Sequence, residues 1–133
     1  MSALKRIARR AHSSCEKGSA VESVVILPLV LAIIFLIIQA GIWGHARNIA
    51  FASAREGASA AALYKSNASA TDVAKGYLNS TASGIFKPSS VSSTRTANYV
   101  EVRVIGRSLS LVPLVELPQI SANVRIPVER YTQ

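Results

Sequence analysis

The stretch EKGSAVESVVILPLVLAIIFLIIQ, residues 16–39, decides how the rest of the chain must be read. Thirteen of the fifteen residues from 24 to 38 are Val, Ile, Leu or Phe, and residues 23–44 carry no charge. At roughly 0.3 to 0.6 kcal/mol each, those side chains contribute about 4 to 8 kcal/mol toward residence in lipid, enough to tolerate Pro28 near the start of the run. A helix needs about 20 residues to cross the hydrocarbon core, so residues 23–44 predict a membrane-spanning helix. Glu22 stands at its mouth, where a carboxylate is costly unless something uses it.

The remaining length bounds what can follow. The chain has 133 residues, which leaves room for one small domain once a span is subtracted. Fifteen Lys and Arg against seven Asp and Glu give a net charge of +8, but Lys5, Arg6, Arg9, Arg10 and Lys17 supply five of those cations within the first 17 residues. The part beyond Gly18 carries only +4 (ten basic, six acidic) and has no basic cluster flanked by aromatic residues, so nucleic acid is not an expected partner. The leader cations instead keep the N-terminus cytoplasmic and send the C-terminal part across the membrane, with Trp43 as an interfacial aromatic on the far side. A cleaved secretory signal ending at Gly44-His45-Ala46 is an alternative, but the apolar run is long for a signal core. A lipoprotein signal needs its cysteine after the run, whereas Cys15 precedes it. Cys15 is the only cysteine, so the exported part cannot be stapled by disulfides.

The helical pattern continues past the membrane segment. ARNIAFASAREGASAAA, residues 46–62, lacks proline and is dominated by alanine, the best helix former. Ala50, Ala54, Ala58 and Ala62 recur every four residues, as do Ser53, Gly57 and Ala61, which makes two adjacent stripes almost without side-chain bulk. Two readings of the stripes stand side by side. They allow a second backbone, such as that of a partner subunit, to approach closely, with Ala50, Ala54, Gly57, Ala58 and Ala61 as the packing positions; or alanine simply favours helix.

Residues 65–133 read as a small exported α+β unit. Thr71 or Asp72 is a candidate N-cap, and Val73, Ala74, Tyr77 and Leu78 then fall at helical spacing. Residues 79–98, rich in Ser and Thr and broken by Gly84 and Pro88, predict a loop with Ile85 and Phe86 dipping toward the core. Val100, Val102 and Val104 alternate with Glu101 and Arg103, and residues 120–129 alternate in the same way, so two half-buried strands are expected. Pro127 cannot donate to a sheet ladder, so the second strand lies at an edge or turns an unpaired side outward there. The apolar, proline-bearing residues 108–118 between them predict a short strand or a loop over the sheet. The expected fold is α+β: a long N-terminal transmembrane helix extending into a small domain with a short helix and an antiparallel sheet of two to four strands. The expected organisation is a leader (1–18), a span (19–44), a helical extension (45–64) and the exported unit (65–133).

The chemical inventory argues against catalysis. His12 and His45 fall on opposite sides of the expected membrane and cannot share a metal. No P-loop, carboxylate cluster or G-x-S-x-G frame occurs, so neither an enzyme nor a cofactor or metal is expected. The N-x-S/T patterns at Asn67 and Asn79 read as ordinary loop polarity.

A basic leader ending KGSAVES, followed by VVILPLVLAIIFLIIQAG and then ASAREGASAAAL, resembles the TadE-like family of pseudopilins of tight-adherence (Flp) pilus systems. Pro28 six residues after the glutamate, AREGA at residues 54–58 and a C-terminal pair of strands ending near VERY share the resemblance. It implies a minor pilin-like component at the bacterial inner membrane, handled by a prepilin peptidase and working with other pilin-like subunits and the pilus assembly machinery. It also implies a cut between Gly18 and Ser19. The family places its glutamate at the fifth mature position, whereas a cut after Gly18 puts Glu22 at the fourth; a cut after Lys17 or an uncut leader remain open. A cut would create an amine that the Glu22 carboxylate, in the same or an adjacent subunit, could neutralise for assembly. Otherwise Glu22 is an interfacial charge on the helix dipole. The alternative functions are an uncleaved, signal-anchored binding or adhesion module, and a secreted protein cut after Ala46.

Overall fold

A computed structural model describes residues 2–63 and 65–130, with side chains from Ser19 onward. Five elements follow in order: α1 (Ser2–Ala62), α2 (Ala70–Thr81), β1 (Phe86–Arg95), β2 (Tyr99–Ser108) and β3 (Ile120–Pro127). The expected α+β class holds, with three strands. The leader cations, His12 and Cys15 lie where only the backbone is described, and Tyr131 of VERY lies outside the described residues.

The chain divides into two units, residues 1–38 and 39–133. In the first, α1 is unbroken and carries Pro28 within it, at the cost of one backbone hydrogen bond. Every large apolar side chain from Val24 to Ile38 is exposed, from 44% at Val30 to 73% at Val24. The helix is long and apolar enough to cross a membrane, and side chains with no protein to pack against are what lipid solvates.

The second unit begins at Gln39, inside the segment expected to be span alone. Its part of α1 turns one face inward: Ala46, Ile49, Ala50, Ser53, Ala54, Ala58, Ala61 and Ala62 are buried, at intervals of three and four residues that define a single helical stripe. Against this low-relief surface the core adds Ala70, Ala74 and Leu78 of α2, Phe86 of β1, Val100, Val102 and Val104 of β2, and Ile120 and Ala122 of β3. Small residues on the helix and branched ones on the sheet share one buried layer.

The end of α1 leaves carbonyls that need partners, and two groups of the nearby Ser66 and one distant amide provide them. Ser66 Oγ donates to the Ala60 carbonyl at 2.7 Å, the Ser66 amide to Leu63 at 3.1 Å and the Glu129 amide to Ala62 at 3.0 Å. Helix α2 is capped by Ser69, whose hydroxyl accepts from the Asp72 amide at 3.3 Å. This corrects the sequence expectation of Thr71 or Asp72: the cap falls where the chain is still extended, at φ −75°, ψ 113°, and Thr71 and Asp72 are already inside the helix. Ser83 and Gly84, at φ 40° and 77°, turn the chain from α2 into the sheet.

The sheet is an antiparallel meander in the order β1-β2-β3. Strand β1 occupies half of the region expected to be a Ser/Thr-rich loop. Its ten residues have only Phe86 buried and Val91 half-buried, so no alternating apolar signal exists to read. Backbone pairing with the valine-rich β2 imposes the strand, from Phe86 opposite Ser108 to Arg95 opposite Val100, with the register shifting between Pro88 and Ser90. Both prolines sit where a missing donor is tolerated, Pro88 and Pro127 being on edge strands.

Candidate functional site

The residues of the expected processing site, Gly18, Ser19 and Glu22, all lie within the continuous α1. Ser19 and Glu22 are exposed, and the Ser23 hydroxyl donates to the Ser19 carbonyl one turn back at 2.9 Å. Among the described residues no side chain forms an ion pair with Glu22. Because α1 starts at Ser2, Glu22 is in the interior of the uncut helix, where preceding residues already supply acceptors for the nearby amides. A helix-terminal dipole can act on this carboxylate only in a chain that begins near Ser19. There Glu22 would lie in the first turn, one turn from a free amine.

The five small residues expected to pack another backbone lie in this chain's own core. Ala50, Ala54 and Ala58 are fully inaccessible and Ala61 is 2% exposed. At Gly57 the approach is closest: a Cβ there would collide with the Ala70 carbonyl oxygen and stand 3.0 Å from the Ala74 Cβ. The close neighbour at Gly57 is therefore α2, where Ala70 and Ala74 are small as well.

Sequence reading missed the group at the head of the second unit. Gln39 is only 4% exposed, yet its amide is satisfied at both ends. Nε2 donates to the Leu109 carbonyl at 3.0 Å and Oε1 accepts from the Leu111 amide at 2.8 Å. The side chain thus pairs with the backbone after β2 much as a neighbouring strand would. One turn further along, the Trp43 indole donates to the Pro118 carbonyl at 3.4 Å, and the Arg47 guanidinium lies 5.8 Å from the Trp43 ring and 5.5 Å from that of Phe51. The segment expected to be a short strand or a loop over the sheet is a loop, and it is fastened to α1. A lone glutamine closing an apolar run was the available signal, since a buried amide must find partners.

The outer face of the sheet carries one polar cluster. Arg125 donates to Glu101 Oε2 through Nε at 3.0 Å and Nη2 at 2.7 Å, and Asn123 donates to Oε1 at 2.9 Å. Arg125 also lies over the Tyr99 ring, 4.3 Å from its centroid. The hydrogen bonds from Arg125 and then Asn123 hold the Glu101 carboxyl below its usual range. This pins β2 to β3 rather than building a reactive site. Among the described residues no three His, Cys, Asp or Glu side chains come together.

Fold and site together define a class: a small α+β domain built on the C-terminal half of a helix whose N-terminal half suits a single-pass membrane anchor. Residues 18–59 match the family model described as TadE-like protein. The similarity covers that segment, from the expected cut to the buried small-residue stripe, and is what the chain shares with the TadE-like family. No curated protein and no solved structure matches the chain.

Proposed function

We propose that the chain is a minor pilin-like subunit, a pseudopilin, of a tight-adherence pilus or secretion system, with an assembly role rather than a catalytic one. The TadE-like match beginning at Gly18 carries the reading. The leader lies in the cytoplasm, a prepilin peptidase cuts between Gly18 and Ser19, and the domain is exported on the far side of the inner membrane. There Glu22 neutralises the new amine of its own or an adjacent subunit. The position of Glu22, in the helix interior before cleavage and in the first turn after it, supports a role that begins with processing.

The mass of the mature N-terminus tests the reading against its rivals. A chain starting at Ser19 is expected. An intact leader favours the signal-anchored binding module, and a start at Arg47 the secreted protein. The last is disfavoured on structural grounds, because that cut would remove Gln39 and Trp43 and with them the ties to residues 109–118. Gly18→Leu should retain the leader. Glu22→Gln should be processed normally yet enter the pilus machinery several-fold less; wild-type recovery would reduce Glu22 to an interfacial charge. A periplasmic reporter should be active after Gln133 and silent ahead of Ser2.

A further inference from the structure

Residues 109–119, LSLVPLVELPQ, expose an unusual amount of apolar surface for a segment this short. Leu109, Leu111 and Val115 are 38%, 46% and 44% exposed and Leu114 is 94% exposed, while Glu116 is the only charged residue among them. Single exposed apolar residues need no explanation, but a cluster does. The segment is also held in shape. The Ser110 hydroxyl bonds to the Val112 carbonyl at 2.8 Å and the Val115 carbonyl at 3.2 Å, and the Val115 amide donates to Val112 at 3.2 Å. Leucines at its turn are therefore presented outward by a built loop.

Its attachments say where it is presented. Gln39 and Trp43, which hold Leu109, Leu111 and Pro118, both fall within the uncharged residues 23–44 of the span, and Arg47 is the first Lys or Arg after that run. A tryptophan followed one turn later by an arginine is the arrangement expected where a span leaves the hydrocarbon and meets headgroups. A loop tied to the helix at that level meets the same boundary. We propose that residues 109–119 are a second membrane contact, inserting Leu111, Leu114 and Val115 into the far-side lipid interface beside the helix exit. The small domain would then be held against the membrane at two points, which restrains its tilt relative to the membrane plane. A single helical anchor leaves that tilt freer.

The inference rests on residues 23–44 spanning the bilayer, and the test separates the two. Single spin labels at Leu31→Cys, Ser92→Cys and Leu114→Cys, in a Cys15→Ser chain reconstituted into nanodiscs at one copy per disc, report relative access to oxygen and to a water-soluble nickel chelate. All three positions are exposed, so labelling does not disturb the core. The expected result is an oxygen-to-nickel access ratio several-fold higher at 114 than at 92, and highest at 31. A lipid-like value at 31 with equal, aqueous values at 114 and 92 overturns the loop contact while leaving the span intact. An aqueous value at 31 overturns both. Shielding at 114 that appears only when several copies share a membrane assigns the surface to a second chain and also overturns the proposal.

Discussion

Residues 21–38 and 46–62 belong to one helix and are both poor in charge, yet they solve opposite problems. The first is built from Val, Ile, Leu and Phe and leaves them all exposed; the second is built from Ala, Ser and Gly and buries a continuous face. Bulk pays where the surroundings are lipid, because each methylene adds to partition and nothing must fit against it. Smallness is favoured where the surroundings are protein, because a helix without projections lets a sheet and a second helix come close. Apolar character alone therefore does not say whether a helix face is buried; the size of its residues does.

Gly57→Leu should break this contrast most severely. Any side chain at position 57 drives into the Ala70 carbonyl, so the domain should lose protease resistance altogether, with even Gly57→Ala costing about 1 to 3 kcal/mol. Bulky substitutions at Ala54 or Ala58 would meet the same core. Both are fully buried, so reduced partner association in such variants would reflect loss of the fold. Val102→Ala, across the same core, should destabilise by about 2 kcal/mol, read as a fall of several degrees in the thermal midpoint.

Gln39→Leu tests the junction of the two regions. It extends the apolar run but strands the Leu109 carbonyl and the Leu111 amide, at a cost of about 1 to 3 kcal/mol. Hydrogen exchange at Leu111 should accelerate while exchange in β2 is little changed. A smaller effect belongs to Glu101→Gln. The hydrogen bonds from Arg125 and Asn123 hold the folded carboxyl below its usual range, so its contribution is present above the unfolded value and lost as pH falls through the folded one. The variant should show a flatter midpoint-against-pH curve only on that acid side. Leu31→Ala should move domain stability least, within about 0.5 kcal/mol, because Leu31 is 48% exposed and packs in no core. A larger loss would mean that the exposed half of α1 supports the domain after all.

Much of the fold was legible because local chemistry and tertiary role agreed. The span and extension of helix α1 followed from composition, though not its continuation back through the leader to Ser2, and β2 and β3 followed from alternating valines and isoleucines. The edge position of β3 was one of the two arrangements that Pro127 allowed. Strand β1 was not legible, since FKPSSVSSTR has the composition of a loop and becomes a strand only through the unpaired edge of β2. The N-cap of α2 was misplaced by two or three residues because Ser69, Thr71 and Asp72 can all cap, and only backbone dihedrals distinguish them. At the candidate site, the residues around Gly18 and Glu22 were visible as a motif, whereas the tie between Gln39 and residues 109–111 spans some 70 positions and leaves no local trace.

The sequence by itself determined the segment suited to lipid, the small-residue stripe and the strand period, because partition, backbone entropy and side-chain alternation are properties of a residue and its near neighbours. Only the tertiary structure decided what the stripe faces and which strand completes the sheet. It also decided where residues 109–119 are held. Each of those depends on backbone groups and bare surfaces far apart in the chain, whose hydrogen bonds and contacts have no energy until the chain brings them together.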